Sequence, residues 1–176
     1  LLARFVPGHP IAGNERNGVA ASLAGLFRDR RVILTPLAQN DVAAVARVSA
    51  MWQACGAQVM EMSVQHHDEV LAATSHLPHM LAFGLVDTLS RMKENDEIFR
   101  YAAGGFRDFT RIASSNPVMW RDVCVANGAA LSKMLAAFAA EMSDLAETIS
   151  RGDGEHLLEI FERANAARDR FVDKLE

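Results

Sequence analysis

Every stretch that reads as β-strand in this 176-residue chain lies before residue 64, and from Gln65 onward the apolar residues keep helical spacing only. The chain is therefore expected to fold as two unlike parts. Arg4-Phe5-Val6, closed by Pro7-Gly8, reads as a first strand, Arg31-Val32-Ile33-Leu34-Thr35-Pro36 as a second and Gln58-Val59-Met60-Glu61-Met62 as a third. Between the last two, Asn40 or Asp41 can cap a helix running to about Ala54, with Val42, Val45, Val48 and Trp52 at three- and four-residue steps and Gly56 as the stop. Strand, helix, strand with short connections predicts a parallel α/β sheet, and three strands are too few to bury both faces of one. The chain also opens in what reads as the middle of a strand, LLARFVPG, so part of the sheet is expected outside it.

The turn-rich segment GHPIAGNERNG places His9 just past the first strand, where ligands bind in open α/β sheets. On spacing alone, His9 either serves chemistry or shapes a Pro/Gly-rich loop.

The helical part begins with HHDEVLAATSHLPHMLAFG, residues 66 to 84, which holds four of the six histidines. Val70, Ala73, Leu77 and Leu81 make it a buried helix, interrupted by titratable side chains that a core does not favour. Pro78 removes an amide donor, which predicts one helix ending near Thr74 and a second starting after Ser75, whose hydroxyl would cap it. His76 and His79 would then share the first turn, where the helix dipole favours an anion. Further on, Glu94 to Ala102 reads as a short helix ended by Gly104-Gly105, and Arg107, Asp108 and Arg111 share one helical face. Asn116-Pro117 opens a long helix to about Arg151, with Leu131, Leu135, Phe138, Met142, Leu145 and Ile149 as a coiled-coil-like seam. After the GDG break a last helix carries Leu157, Phe161, Ala164, Phe171 and Leu175. Two long apolar seams predict a symmetric homodimer.

A net charge of −4 with dispersed arginines gives no basic footprint for nucleic acid. No apolar run reaches the roughly 20 residues that span a membrane. Cys55 and Cys124 form no CxxC pair and read as two buried thiols, which fits a reducing cytoplasm.

Three readings account for the polar residues. His66, His67, Asp68, His76 and His79 offer nitrogen and oxygen ligands for a hydrolytic metal ion, although HxxH across a proline is loose geometry. Alternatively the helices form a non-catalytic dimerisation module with its histidines satisfied in the core. The third reading is a resemblance. GHPIAGNE at 8 to 15, HHDEVLAATSHLPH at 66 to 79 and GGFRDFTRIASSNPVMW at 104 to 120 together resemble prephenate dehydrogenases, also called arogenate or cyclohexadienyl dehydrogenases, and the resemblance runs to about residue 130.

That resemblance implies a mainly α chain. An all-helical dimerisation and substrate-binding domain over residues 64–176 would follow the last strands and helix of an α/β, Rossmann-type nucleotide-binding domain over residues 1–63. It implies oxidative decarboxylation of prephenate or arogenate to 4-hydroxyphenylpyruvate or tyrosine, with NAD or NADP taking the hydride and no metal. His9 matches the family's catalytic histidine. His79 and Arg111 match its substrate-binding pair, Glu15 and Asp108 resemble acidic residues that pair with the arginine, and Gly104 and Trp120 match positions contributed across the dimer. Asn14 and Asn17 depart from the threonine and serine frequent there. The chain has no GxGxxG, so it is expected to be the C-terminal portion of the enzyme, with most cofactor contacts and the serine that orients the catalytic histidine lying upstream.

Overall fold

A computed structural model describes residues 2–13, 18–93 and 95–172. Contacts divide the chain into two compact units, Leu1–Leu131 and Ser132–Glu176. The first unit holds a three-stranded sheet, β1 (Gly8–Pro10), β2 (Arg31–Leu34) and β3 (Gln58–Glu61), in the order β1-β2-β3. Its helices are α1 (Val42–Ala54), α2 (Val64–Leu71), α3 (Leu77–Ser90), α4 (Asn95–Arg100), α5 (Gly104–Thr110) and α6 (Pro117–Ala126). Helix α7 (Gly128–Arg151) starts in the first unit and continues into the second, which also contains α8 (Gly154–Val172). The mainly helical class with a small sheet is as the residue pattern predicts.

The β2-α1-β3 unit forms as expected. Asp41 is the cap, accepting a hydrogen bond from the Ala43 N–H, and β2 pairs in parallel with β3. Gly56 ends the connection at φ +84, where an L side chain is strained, and the Arg28 backbone lies a tight 3.3 Å from where a Cβ would stand. Val32 and Leu34 are fully buried under Val48 and Trp52 of α1, each contributing about 1.5–3 kcal/mol.

The first strand differs from expectation. It lies at Gly8–Pro10 rather than Arg4–Val6, and it pairs antiparallel with β2, so the sheet is mixed. Its ladder is extended by Thr35 N–H to the Pro7 carbonyl and Ile11 N–H to the Arg31 carbonyl. Pro10 is tolerated because β1 is an edge strand. His9 therefore sits inside a strand, opposite Ile33, and not beyond a strand end. Cross-strand partners share a face, so His9 lies with Ile33 on the side opposite the Val32 and Leu34 core.

Pro78 does not divide the histidine segment either. Between α2 and α3 the chain makes a π turn, Ala72–His76, and Leu71, Ala72, His76 and Leu77 all keep right-handed helical dihedrals. The wider turn accommodates the missing proline amide without a break. Ser75 caps nothing here; Ser63 caps α2 by accepting from the His66 N–H. The expected helix N-terminus beside His76 and His79, with its anion-binding amides, is consequently not formed.

The Gly104-Gly105 pair opens α5 instead of ending α4. Asn116 caps α6 through both the Val118 and Met119 amides, as its position before Pro117 predicts. The long helix predicted from there is interrupted at Asn127, whose side-chain amide is drawn to the Asp68 carbonyl at 2.8 Å. Cys55 is exposed at the end of α1 rather than buried, whereas Cys124 is half-buried, its sulfur 3.3 Å from that of Met80. Among the described residues no single helix is long and apolar enough to cross a membrane.

Candidate active site

The edge strand β1 brings His9 against α2. Its Nδ1 lies 2.9 Å from His67 Nε2, across 58 residues of sequence, and the rings tilt at 58°. On its other side His67 meets its own neighbour, with Nδ1 2.9 Å from Asp68 Oδ1. Burial, then the charge of His67, hold His9 below the ordinary histidine pKa, which favours its neutral imidazole.

The π turn and the start of α3 orient two further imidazoles. His79 donates from Nδ1 to the Ser75 carbonyl at 2.8 Å, which leaves Nε2 available, and its ring lies flat against Trp120, 3.7 Å between centroids. His76 Nδ1 accepts from the Asn127 amide at 3.1 Å, so that nitrogen carries no hydrogen. Burial, then the charges of His9, His67 and His79, lower the His76 pKa, with Asp68 opposing.

Beside His79 opens a cavity of about 520 Å³, lined by Ala12, Gly13, Ser75, His79, Arg111, Ile112, Ser115, Asn116, Met119 and Trp120. Its walls are the segment just after His9, the π turn, the 3₁₀ turn Arg111–Ser114 and the first turns of α6. One cation, one imidazole and several apolar side chains around such a volume suit a small anionic molecule with a hydrocarbon ring. Buried Trp120 also has an indole N–H without a partner among the described residues.

His79, Arg111 and Trp120 thus meet at one cavity, and His9 is three residues before its Ala12 wall. Asp108 is exposed on α5 and Gly104 opens that helix; neither lines the cavity. Glu15 lies outside the described residues. Trp120, expected from the resemblance to be contributed across a dimer, packs on His79 of its own chain. Among the described residues no three His, Cys, Asp or Glu side chains are grouped to hold a metal ion. Residue spacing did not point to His67 and Asp68 as neighbours of His9, nor to Asn127 as the residue that holds His76. The only signal was the adjacent His-Asp pair itself.

A family model described as "Prephenate dehydrogenase, dimerization domain" matches residues 63–163, more than half of the chain. The chain belongs to the prephenate dehydrogenase family. The model described as "Prephenate dehydrogenase, nucleotide-binding domain" matches residues 1–61. A cyclohexadienyl dehydrogenase of Zymomonas mobilis is 44% identical over 166 residues, covering 93% of this chain and 57% of that protein. A prephenate dehydrogenase of Bacillus subtilis is 38% identical over 168 residues, covering 94% and 45%. The chain spans about half the length of the curated relatives it matches. Among solved structures, prephenate dehydrogenase from Aquifex aeolicus in complex with hydroxyphenyl propionate and NAD+ is similar at a TM-score of 0.90 and 42% identity, covering 96% of this chain and 59% of that one.

Proposed function

We propose that this member of the prephenate dehydrogenase family carries the substrate site for oxidative decarboxylation of prephenate, or of its amino analogue arogenate, in tyrosine biosynthesis. The observation that supports it is the meeting of Arg111, His79 and the segment after His9 around one cavity of about 520 Å³. The same family's Aquifex member has been solved with hydroxyphenyl propionate and NAD+.

Past the ends of the parallel pair β2 and β3 lies a second cavity, of about 340 Å³, lined by Pro36, Leu37, Asn40, Val42, Val45, Ala46 and Glu61. Its mainly apolar walls fit the planar ring of a nucleotide cofactor, while no glycine-rich phosphate turn occurs among the described residues. When bound, NAD or NADP supplies the oxidant, taking hydride from the ring carbon that bears the hydroxyl while the ring carboxylate leaves as CO₂.

The chain's own residues do the rest. His9, neutral because burial lowers its pKa, accepts the ring hydroxyl proton and returns it to the phenolate that forms as the ring becomes aromatic. Arg111 and His79 hold the carboxylates; Arg111 does so with fixed charge, and His79, whose Nδ1–H is given to Ser75, donates from Nε2 when it is present as the imidazolium. Glu15 and Asp108 are assigned to gating around Arg111, and Gly104 and Trp120 to the substrate pocket of the assembled dimer.

A homodimer through residues 64–176 is supported by the family model's description and by the second unit, where Met142, Ile149, Leu158, Phe161 and Phe171 are all more than 40% exposed. The boundary at residue 63 is supported by the change of family model between residues 61 and 63. The two free thiols favour a cytoplasmic setting. The full-length protein, given prephenate or arogenate with NAD or NADP, should form reduced cofactor and CO₂ in equal amounts. Absence of turnover with every combination would overturn the assignment.

A further inference from the structure

Two groups stand behind His9 that the reaction as described does not use. Their hydrogen bonds can be assigned by elimination. A carboxylate only accepts, so the His67 nitrogen facing Asp68, Nδ1, bears a hydrogen. A neutral His67 then presents a lone pair at Nε2, and the nitrogen 2.9 Å away, His9 Nδ1, is the donor. His9 keeps its own lone pair on Nε2. We propose that His67 and Asp68 are positioning residues that hold His9 in the tautomer whose Nε2 can take the substrate's hydroxyl proton.

The surrounding structure favours this use. The other imidazoles near the site are committed elsewhere, His79 Nδ1 to the Ser75 carbonyl and His76 Nδ1 to Asn127. Consecutive residues on a helix point about 100° apart, so the His67–Asp68 contact forms only in particular rotamers of both side chains. The helix that carries them is tied at both ends, by the Ser63 cap and by Asn127 bonding the Asp68 carbonyl. When His9 has taken the proton, its Nδ1–H still donates to His67, and the Asp68 carboxylate beyond favours the positive charge.

The proposal rests on the reading of His9 as proton acceptor, and its test separates the two. In full-length protein labelled with ¹⁵N at histidine and free of substrate, His9 and His67 should both show protonated Nδ1 and unprotonated Nε2 at neutral pH. A His9 protonated at Nε2 would overturn the relay whatever the enzyme's activity. In turnover, His67→Phe keeps a ring but offers no acceptor, so kcat should fall about tenfold or more with KM within about twofold. His67→Gln places an amide oxygen near the lost Nε2 and should recover a good part of that loss. If Phe performed as well as Gln, His67 would be packing alone and the proposal would fail. If wild-type protein turned over neither substrate, the functional assignment would fall, and the tautomer measurement would still decide the relay. That measurement also decides it should the Phe variant not fold.

Discussion

His79 lies flat on Trp120, 22° from parallel. The indole forms the floor on which a cavity-lining imidazole is held, and its own N–H has no partner among the described residues. Trp120→Ala should cost about 3–5 kcal/mol of stability, as an emptied buried indole does, and should raise KM as His79 loses its support. Trp120→Phe keeps a stacking surface and removes an unsatisfied donor, so its loss should be much smaller than the change of volume implies. Denaturant titration of both variants checks the order.

His9→Asn should leave KM within a few-fold while kcat falls by about a hundredfold or more. The pH profile carries a second signature. The titratable group acting on His9 is His67 from α2, with Asp68 behind it. Because burial and His67 lower the His9 pKa, the neutral base persists to lower pH. The acid limb of kcat/KM should therefore break below the ordinary histidine value of about 6.5, with activity lost as pH falls through that break. A break above that value would exclude His9.

Arg111→Ala should raise KM by about tenfold to a hundredfold, the scale of a charge-assisted hydrogen bond, and lower kcat less. An unchanged KM with a lower melting temperature would make Arg111 a structural residue.

In the second unit, Met142→Lys combined with Ile149→Lys should convert a dimer to monomer by light scattering. Both side chains are exposed within the single chain, at 41% and 59%, so the charges disturb little inside it. A dimer that persists would place the contact elsewhere.

How much of this was legible in the residues depended on range. The Asp41 cap, the Gly56 stop and the Asn116-Pro117 start are local chemistry, and each acts where spacing put it. The Asn127-Gly128 pair is equally legible as a breaker, yet the helix opened by Asn116-Pro117 was expected to pass through it to join the seam that begins at Leu131. Pro78 misled because a proline rule describes α-helix, whereas a π turn satisfies the same residues differently. Strand β1 was displaced because pairing with Ile33 and Leu34, not the apolar run Phe5-Val6, decides where the edge strand forms. The contact of His9 with His67 spans 58 residues, and no local pattern encodes it.

The π turn at Ala72–His76 is, in effect, one residue of surplus wound into a helical rod. Each α-helical residue advances the chain by about 100°, so this surplus acts as an angular offset between α2 and α3. It lets a single rod present His79 to the cavity and His67 to the edge strand. Deleting one residue there would preserve charge and the apolar spacing on either side, yet swing the Asp68–His67 pair about 100° from His9. In aligning chains of this family, the length of the turn then carries as much information as the histidines that flank it.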